Sequence, residues 1–162
     1  MGRKSKTKDE ENGDSESKLD TTTSSEISDR PSYEELVKKV SIISKPLASK
    51  KLTKKLYKTV KKATKEKCLR RGVKEVAKAL RKNEKGFVIL AGDVSPIDVI
   101  SHLPILCENN KMPYCFVPSR LDLGLASQTK RPTSVVLVKE NEAYKEYYKD
   151  CYSEMDSLPL PL

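Results

Sequence analysis

Gly86-Phe87-Val88-Ile89-Leu90-Ala91-Gly92 is an uninterrupted apolar run closed by a glycine at each end. It is too short for a helix between two glycines, so it reads as a strand buried on both faces. A strand of that kind needs a helical layer on each side, and the flanking sequence supplies both. Upstream, Val73, Val76, Ala77 and Leu80 recur at i, i+3, i+4 and i+7, which predicts a helix from about Arg71 to Lys82 with Asn83 and Gly86 at its end. Before it, Leu52, Leu56, Val60 and Ala63 make a narrow stripe on a helix otherwise covered by Lys51, Lys54, Lys55, Lys58, Lys61, Lys62 and Lys65. Tyr33, Leu36, Val37, Val40 and Ile43 are also at helical spacing, ending before Pro46. Downstream, Pro96–Asn109 is patterned as a helix that kinks or divides at Pro104. Tyr114-Cys-Phe-Val predicts a second strand, Ser119–Ala126 a short helix capped by Ser119, Thr133–Val138 a third strand and Glu142–Met155 a terminal helix. Strands alternating with helices predict an α/β fold, a three-layer α/β/α sandwich with a small mixed sheet.

The expected organisation is a disordered tail over residues 1–30, a domain over 31–157 and a frayed end over 158–162. Residues 1–30 are rich in Ser, Thr, Asp, Glu and Lys and have too little apolar surface to offset the entropy of ordering. Their Arg3–Lys8 cluster suits either a weak targeting or RNA-contacting arm, or a solvated tail with no specific role. The N-terminus shows no apolar signal region and no run approaches the length of a membrane span. A soluble intracellular protein is the expectation, with no membrane partner.

Charge is unevenly spread. The chain has 32 Lys+Arg against 23 Asp+Glu, for a net charge of +9, and residues 45–85 alone hold 17 basic and 3 acidic side chains. Such clustering points to a polyanionic partner on one face. Like charges four residues apart on a helix oppose its formation by a few tenths of a kcal/mol each, so a bound anion would compensate them. The alternative is a solvated lysine surface.

No catalytic constellation can be assembled. There is no glycine-rich phosphate loop of either common spacing, and His102, the single histidine, is set among apolar helix residues as a packed or capping group. Ala91-Gly-Asp-Val-Ser-Pro is a strand-to-helix turn that could meet an anion, with a plain turn the simpler reading. Cys68, Cys107, Cys115 and Cys151 lack the paired spacing of a zinc site and read as buried thiols. The sequence therefore predicts no catalysis, no cofactor, no metal and no small-molecule substrate. A small α/β nucleotide-binding enzyme is the distant alternative. An RNA site has better parts: Arg70, Arg71 and Gly72 stand where a helix begins, and Lys74 and Lys78 extend the positive face. Glu75 either accepts hydrogen bonds from a base edge or pairs with Arg71 one turn away.

Arg71-Gly-Val-Lys-Glu-Val-Ala-Lys-Ala-Leu, taken with Leu90-Ala-Gly-Asp-Val-Ser-Pro, Leu103-Pro-Ile-Leu-Cys-Glu, Pro113-Tyr and Val117-Pro-Ser-Arg-Leu-Asp-Leu-Gly, resembles the kink-turn RNA-binding family of ribosomal and small nucleolar ribonucleoprotein proteins. The likeness covers roughly Ala48–Lys139 and implies an α/β/α sandwich. The family motif at the helix start is Gly-x-Asn-Glu-x-x-Lys, whose Asn–Glu pair reads sheared G·A pairs. Gly72, Glu75 and Lys78 match it, but Lys74 stands at the Asn position. The family's second contact comes from the loop before the last strand, here Thr129, Lys130, Arg131, Pro132 and Thr133, where threonines replace the usual aliphatic side chains. Ser95 and Val99 match neighbouring contact positions, and Lys51 and Lys54 would add affinity by charge. Arg71–Val76 and Lys130–Thr133 look most like the H/ACA branch of the family. That resemblance implies an H/ACA guide RNA, a pseudouridine synthase subunit and a small zinc-ribbon-like subunit as partners. It also implies a nuclear and nucleolar setting, a part in ribosomal RNA pseudouridylation and processing, and a link to the telomerase ribonucleoprotein. A box C/D or ribosomal kink-turn binder is the alternative within the family.

Overall fold

The computed structural model describes residues 30–159; the expectations for the tail up to residue 29 and for residues 160–162 lie outside the described residues. Strand β2 (Phe87–Ala91) has no exposed residue and runs parallel to β3 (Tyr114–Val117). Strand β4 (Val135–Val138) runs antiparallel to β2 on its other side and also pairs with β1 (Leu69–Arg71), so the sheet is mixed with order β1-β4-β2-β3. The expected sheet gains one strand, because Leu69-Arg70-Arg71 extends along β4 where a helix start was anticipated. A short edge strand bearing charge presents no alternating apolar pattern to read.

Helices cover both faces. Helix α2 (Lys50–Lys65) packs with α5 (Arg120–Ala126) and α6 (Lys145–Asp156), while α3 (Val73–Arg81) packs with α4 (His102–Asn109) and on β1 and β4. On the first side the Phe87 ring lies 5.1 Å from that of Tyr148 on α6. On the second, Asn110 Nδ2 donates to the Leu80 carbonyl at 2.8 Å, joining the ends of α3 and α4. Leu56, Val60 and Ala63 of α2 have no exposed surface, nor have Val76 and Leu80 of α3. Burying a side chain of that size contributes on the order of 2 kcal/mol, which is what holds such cationic helices to the sheet.

Cap chemistry fixes several ends. The Ser32 hydroxyl accepts from Glu35 N at the start of α1 (Tyr33–Lys38) while the Glu35 carboxylate accepts from Ser32 N. The Ser49 and Ser119 hydroxyls cap α2 and α5 by accepting from Leu52 N and Asp122 N. Asn83, just past α3, takes the left-handed conformation that ends a helix, at φ 56°. Helix α1 stops at Lys38, short of the expected Ile43. Beyond it Ser41 N donates to the Gly92 carbonyl at 2.9 Å, and Val40 packs where a Cβ on Gly92 would lie only 2.7 Å from its Cγ1. Ile42 and Ile43 are thereby turned outward.

The segment 96–109 divides ahead of Pro104. Residues Ile97–Val99 form a 3₁₀ turn and α4 starts at His102, so Pro104 falls in the first turn, where no intrahelical donor is lost. His102 is exposed there, not packed. The edge at β3 is covered by the chain before α2: Ala48 N donates to the Phe116 carbonyl and Phe116 N to that of Pro46, both at 2.8 Å.

Candidate nucleic-acid interface

Strand β1 and the chain entering β4 are antiparallel neighbours, so the end of one lies beside the start of the other. Gly72 N donates to the Val135 carbonyl at 3.1 Å, which sets the turn into α3 against the loop that precedes β4. Between them is an open groove of about 620 Å³ lined by Leu69, Arg71, Gly72, Val73, Glu75, Thr129, Arg131, Pro132, Thr133 and Ser134. Two stretches read separately in the sequence, the helix start and the loop some sixty residues later, thus face each other across one space.

Gly72 makes the turn possible. Its φ of 91° and ψ of 151° belong to a region that side chains avoid, and it serves as the α3 N-cap without a capping side chain. The amides of Val73, Lys74 and Glu75 then have no acceptor among the described residues, so the helix presents unpaired donors at its positive end. Glu75 is exposed and forms no ion pair with Arg71. Arg71 reaches instead across the groove, where its Nη1 donates to the Ser127 carbonyl at 3.1 Å and ties the helix start to the opposite loop. The Glu75 carboxylate is therefore left facing the groove mouth.

The loop is built around Gly124. A Cβ there would come within 2.3 Å of the Arg131 carbonyl, so the loop lies directly on α5. The Thr129 hydroxyl donates to the carbonyls of Gly124 and Arg131, at 3.2 and 3.0 Å, and Thr133 N donates to that of Arg120 at 3.1 Å. Thr133 is only 8 % exposed. Both threonines shape the loop, while Lys130, Arg131 and Pro132 form its outer surface.

The remaining candidates are placed differently. Lys74 is exposed in the first turn of α3, and Lys78 lines an adjoining recess with Arg70, Glu75, Lys82 and Glu84. In that recess Glu84 pairs with Lys139 at 2.5 Å and with Arg70 at 3.7 Å, and the Lys139 partnership holds its carboxyl below the usual range. Ser95 and Val99 are exposed on the 92–99 connection and are not among the groove's lining residues. Lys51 and Lys54 are exposed on α2, in the other helical layer. Sequence reasoning missed Ser127 and Gly124. A glycine inside a short helix was the one visible signal for Gly124; the Ser127 carbonyl gave none.

Among the described residues no group of His, Cys, Asp and Glu is arranged to hold a metal ion, and no helix is long and apolar enough to cross a membrane.

Known proteins resemble this chain in sequence and fold. The model of the ribosomal protein L7Ae/L30e/S12e/Gadd45 family matches residues 54–148. The H/ACA ribonucleoprotein complex subunit 2-like protein of Xenopus tropicalis is 53% identical over 140 residues, covering 85% of this chain and 94% of that protein. The H/ACA ribonucleoprotein complex subunit 2 of Drosophila melanogaster is 47% identical over 137 residues, covering 84% of this chain and 86% of that one. Among solved structures, the 15.5kD RNA binding protein of Giardia lamblia superposes with a TM-score of 0.71 at 28% identity, over 74% of this chain and 100% of its own length.

Proposed function

This chain belongs to the ribosomal protein L7Ae/L30e/S12e/Gadd45 family, and from that premise we propose that it is a non-catalytic RNA-binding subunit of an H/ACA ribonucleoprotein. In that role it supports guide-directed pseudouridylation and processing of ribosomal RNA. The observation that carries the reading is the groove, where the helix start at Arg71–Glu75 and the loop at Thr129–Ser134 converge, in a chain half identical to H/ACA subunit 2 proteins along most of its length. Unpaired amides and Arg71 suit a phosphate, and Glu75 is free to accept from a base edge. Lys74 replaces the Asn of the kink-turn motif, which removes one base-reading group and adds a charge. Binding should therefore rest more on backbone contacts and on the neighbouring subunits than on kink-turn sequence.

Its partners in this reading are an H/ACA guide RNA, a pseudouridine synthase subunit and a small zinc-ribbon-like subunit, and its place is the nucleus, specifically the nucleolus. The RNA-binding domain in this reading spans residues 31–157. Tagging the full chain in its own cells and identifying the RNAs and proteins that co-purify tests the proposal. H/ACA RNAs together with a pseudouridine synthase are the expected result. Recovery of box C/D or U4 RNA in their place would select the kink-turn alternative.

A further inference from the structure

Helix α2 carries more lysine than its own fold uses. Lys55 is paired with Glu154 of α6, and Lys62 Nζ lies 3.4 Å over the Tyr147 ring of the same helix. Lys50, Lys54, Lys58, Lys61 and Lys65 have no ion pair among the described residues, and all five are exposed. At 3.6 residues per turn they fall within an arc of about 80°, opposite the buried stripe, and span about 22 Å along the axis. The first turn of α2 contains no acidic residue. Positive charge there opposes the helix dipole, and the lysines repel one another along the stripe. The groove offers them no relief, since it is formed by α3, β1 and the 129–134 loop, whereas α2 packs in the other helical layer with α5 and α6.

We propose that this lysine stripe is a second RNA-contacting surface, so that one molecule holds an RNA segment along α2 while another occupies the groove. The inference rests on the RNA-binding reading above and extends it from one site to two. A polyphosphate backbone fits the stripe better than a protein surface does. Protein interfaces are organised around an apolar core, and the stripe offers no apolar side chain. A row of point charges at regular rise reads phosphates and no sequence. The groove then supplies orientation and the stripe supplies a sequence-blind hold.

A sandwich assay on the full chain distinguishes the two sites. A kink-turn hairpin is immobilised, the protein is added, and capture of a labelled plain RNA duplex is measured against salt. Wild type should capture the duplex through the protein. Lys58→Gln/Lys61→Gln/Lys65→Gln should bind the hairpin as before but lose at least about tenfold in duplex capture. Its log–log salt slope for duplex binding should flatten by about 3, close to one for each phosphate contact removed. Helical circular dichroism, unchanged or raised, shows that the variant folds. Arg71→Ala/Glu75→Gln should do the reverse, losing the hairpin while free duplex binding keeps its slope. Undiminished duplex capture by the lysine variant overturns the proposal and leaves the stripe to an acidic polypeptide. Duplex binding that survives while wild type never holds the hairpin keeps the stripe and overturns the claim that the isolated chain holds two RNA segments at once. If wild type retains neither RNA, both readings fall.

Discussion

Lys74 sits exposed in the first turn of α3, three residues beyond Arg71, at a position where the family motif has an amide that can both donate and accept. Lysine donates only, so Glu75 loses the neighbour that would complete a base-reading pair. Lys74→Asn should raise affinity for a kink-turn hairpin about tenfold while leaving plain duplex binding slightly weaker, as anisotropy titrations at fixed salt would record. Equal gains on both RNAs would mean that the groove does not read bases at this point. Gly72 is constrained by its backbone instead. Nothing lies within 4 Å of an added Cβ, so Gly72→Ala meets no clash and costs only the strain of holding φ at 91°. About 1–3 kcal/mol should be lost in urea unfolding. The position of Gly72 at the helix start was legible in the sequence, whereas its positive φ was not. The Arg71 partner was not legible: local spacing offers Glu75 four residues on, whereas the guanidinium bonds a carbonyl 56 positions away. No periodicity rule reaches that far.

At the level of elements, the sequence was read best where burial is two-sided and worst where it is not. Strand β2 and the stripes of α2 and α3 follow the apolar pattern closely, because every side chain there is sorted by a core. Strand β1 has one partly buried Leu and two exposed arginines, so pairing with β4 overrides a pattern that resembles the edge of a helix. Helix α1 gives way after Lys38 because loop 39–45 gains hydrogen bonds and packing at Gly92. The groove loop shows the same dependence on a distant contact. An added Cβ at Gly124 would press on the Arg131 carbonyl at 2.3 Å, and one at Gly86 on the Val138 carbonyl at 2.2 Å. Each Gly→Ala change should cost about 1–3 kcal/mol as overpacking. Only Gly124→Ala should also weaken RNA binding, since Gly86 is at the far end of β2. Parallel urea and anisotropy measurements on the two variants separate loop placement from general stability.

For the whole domain, ionisable groups held in the core set an alkaline limit. Burial pushes the Cys107 thiol from about 9 up to about 12, and the Tyr148 phenol from about 10 up to about 12. Burial moves Cys115, Tyr57 and Tyr144 in the same direction. Because the folded state keeps these protons and the unfolded chain releases them, their contribution is fully present below about pH 9. It declines as pH rises toward 12. The urea midpoint should therefore be insensitive to these groups between pH 7 and 9 and fall steadily above that. A midpoint that holds level to pH 11 would place the phenols and thiols in contact with solvent. The overall charge of +9 was plain in the sequence, and so was its concentration in residues 45–85. Its division between two helical layers was not, because composition carries no information on which side of a sheet each helix takes.

The seating of the 129–134 loop on Gly124 also bears on how fast RNA would be captured at the proposed groove. A loop already fixed against α5 need not be rearranged on arrival, so docking is not gated by a slow internal step. Encounter then becomes the slow event, and the lysine field of α2 acts on it from beyond contact distance. Association should speed up as salt falls, while the lifetime of the groove-bound complex, set by short-range contacts, changes much less.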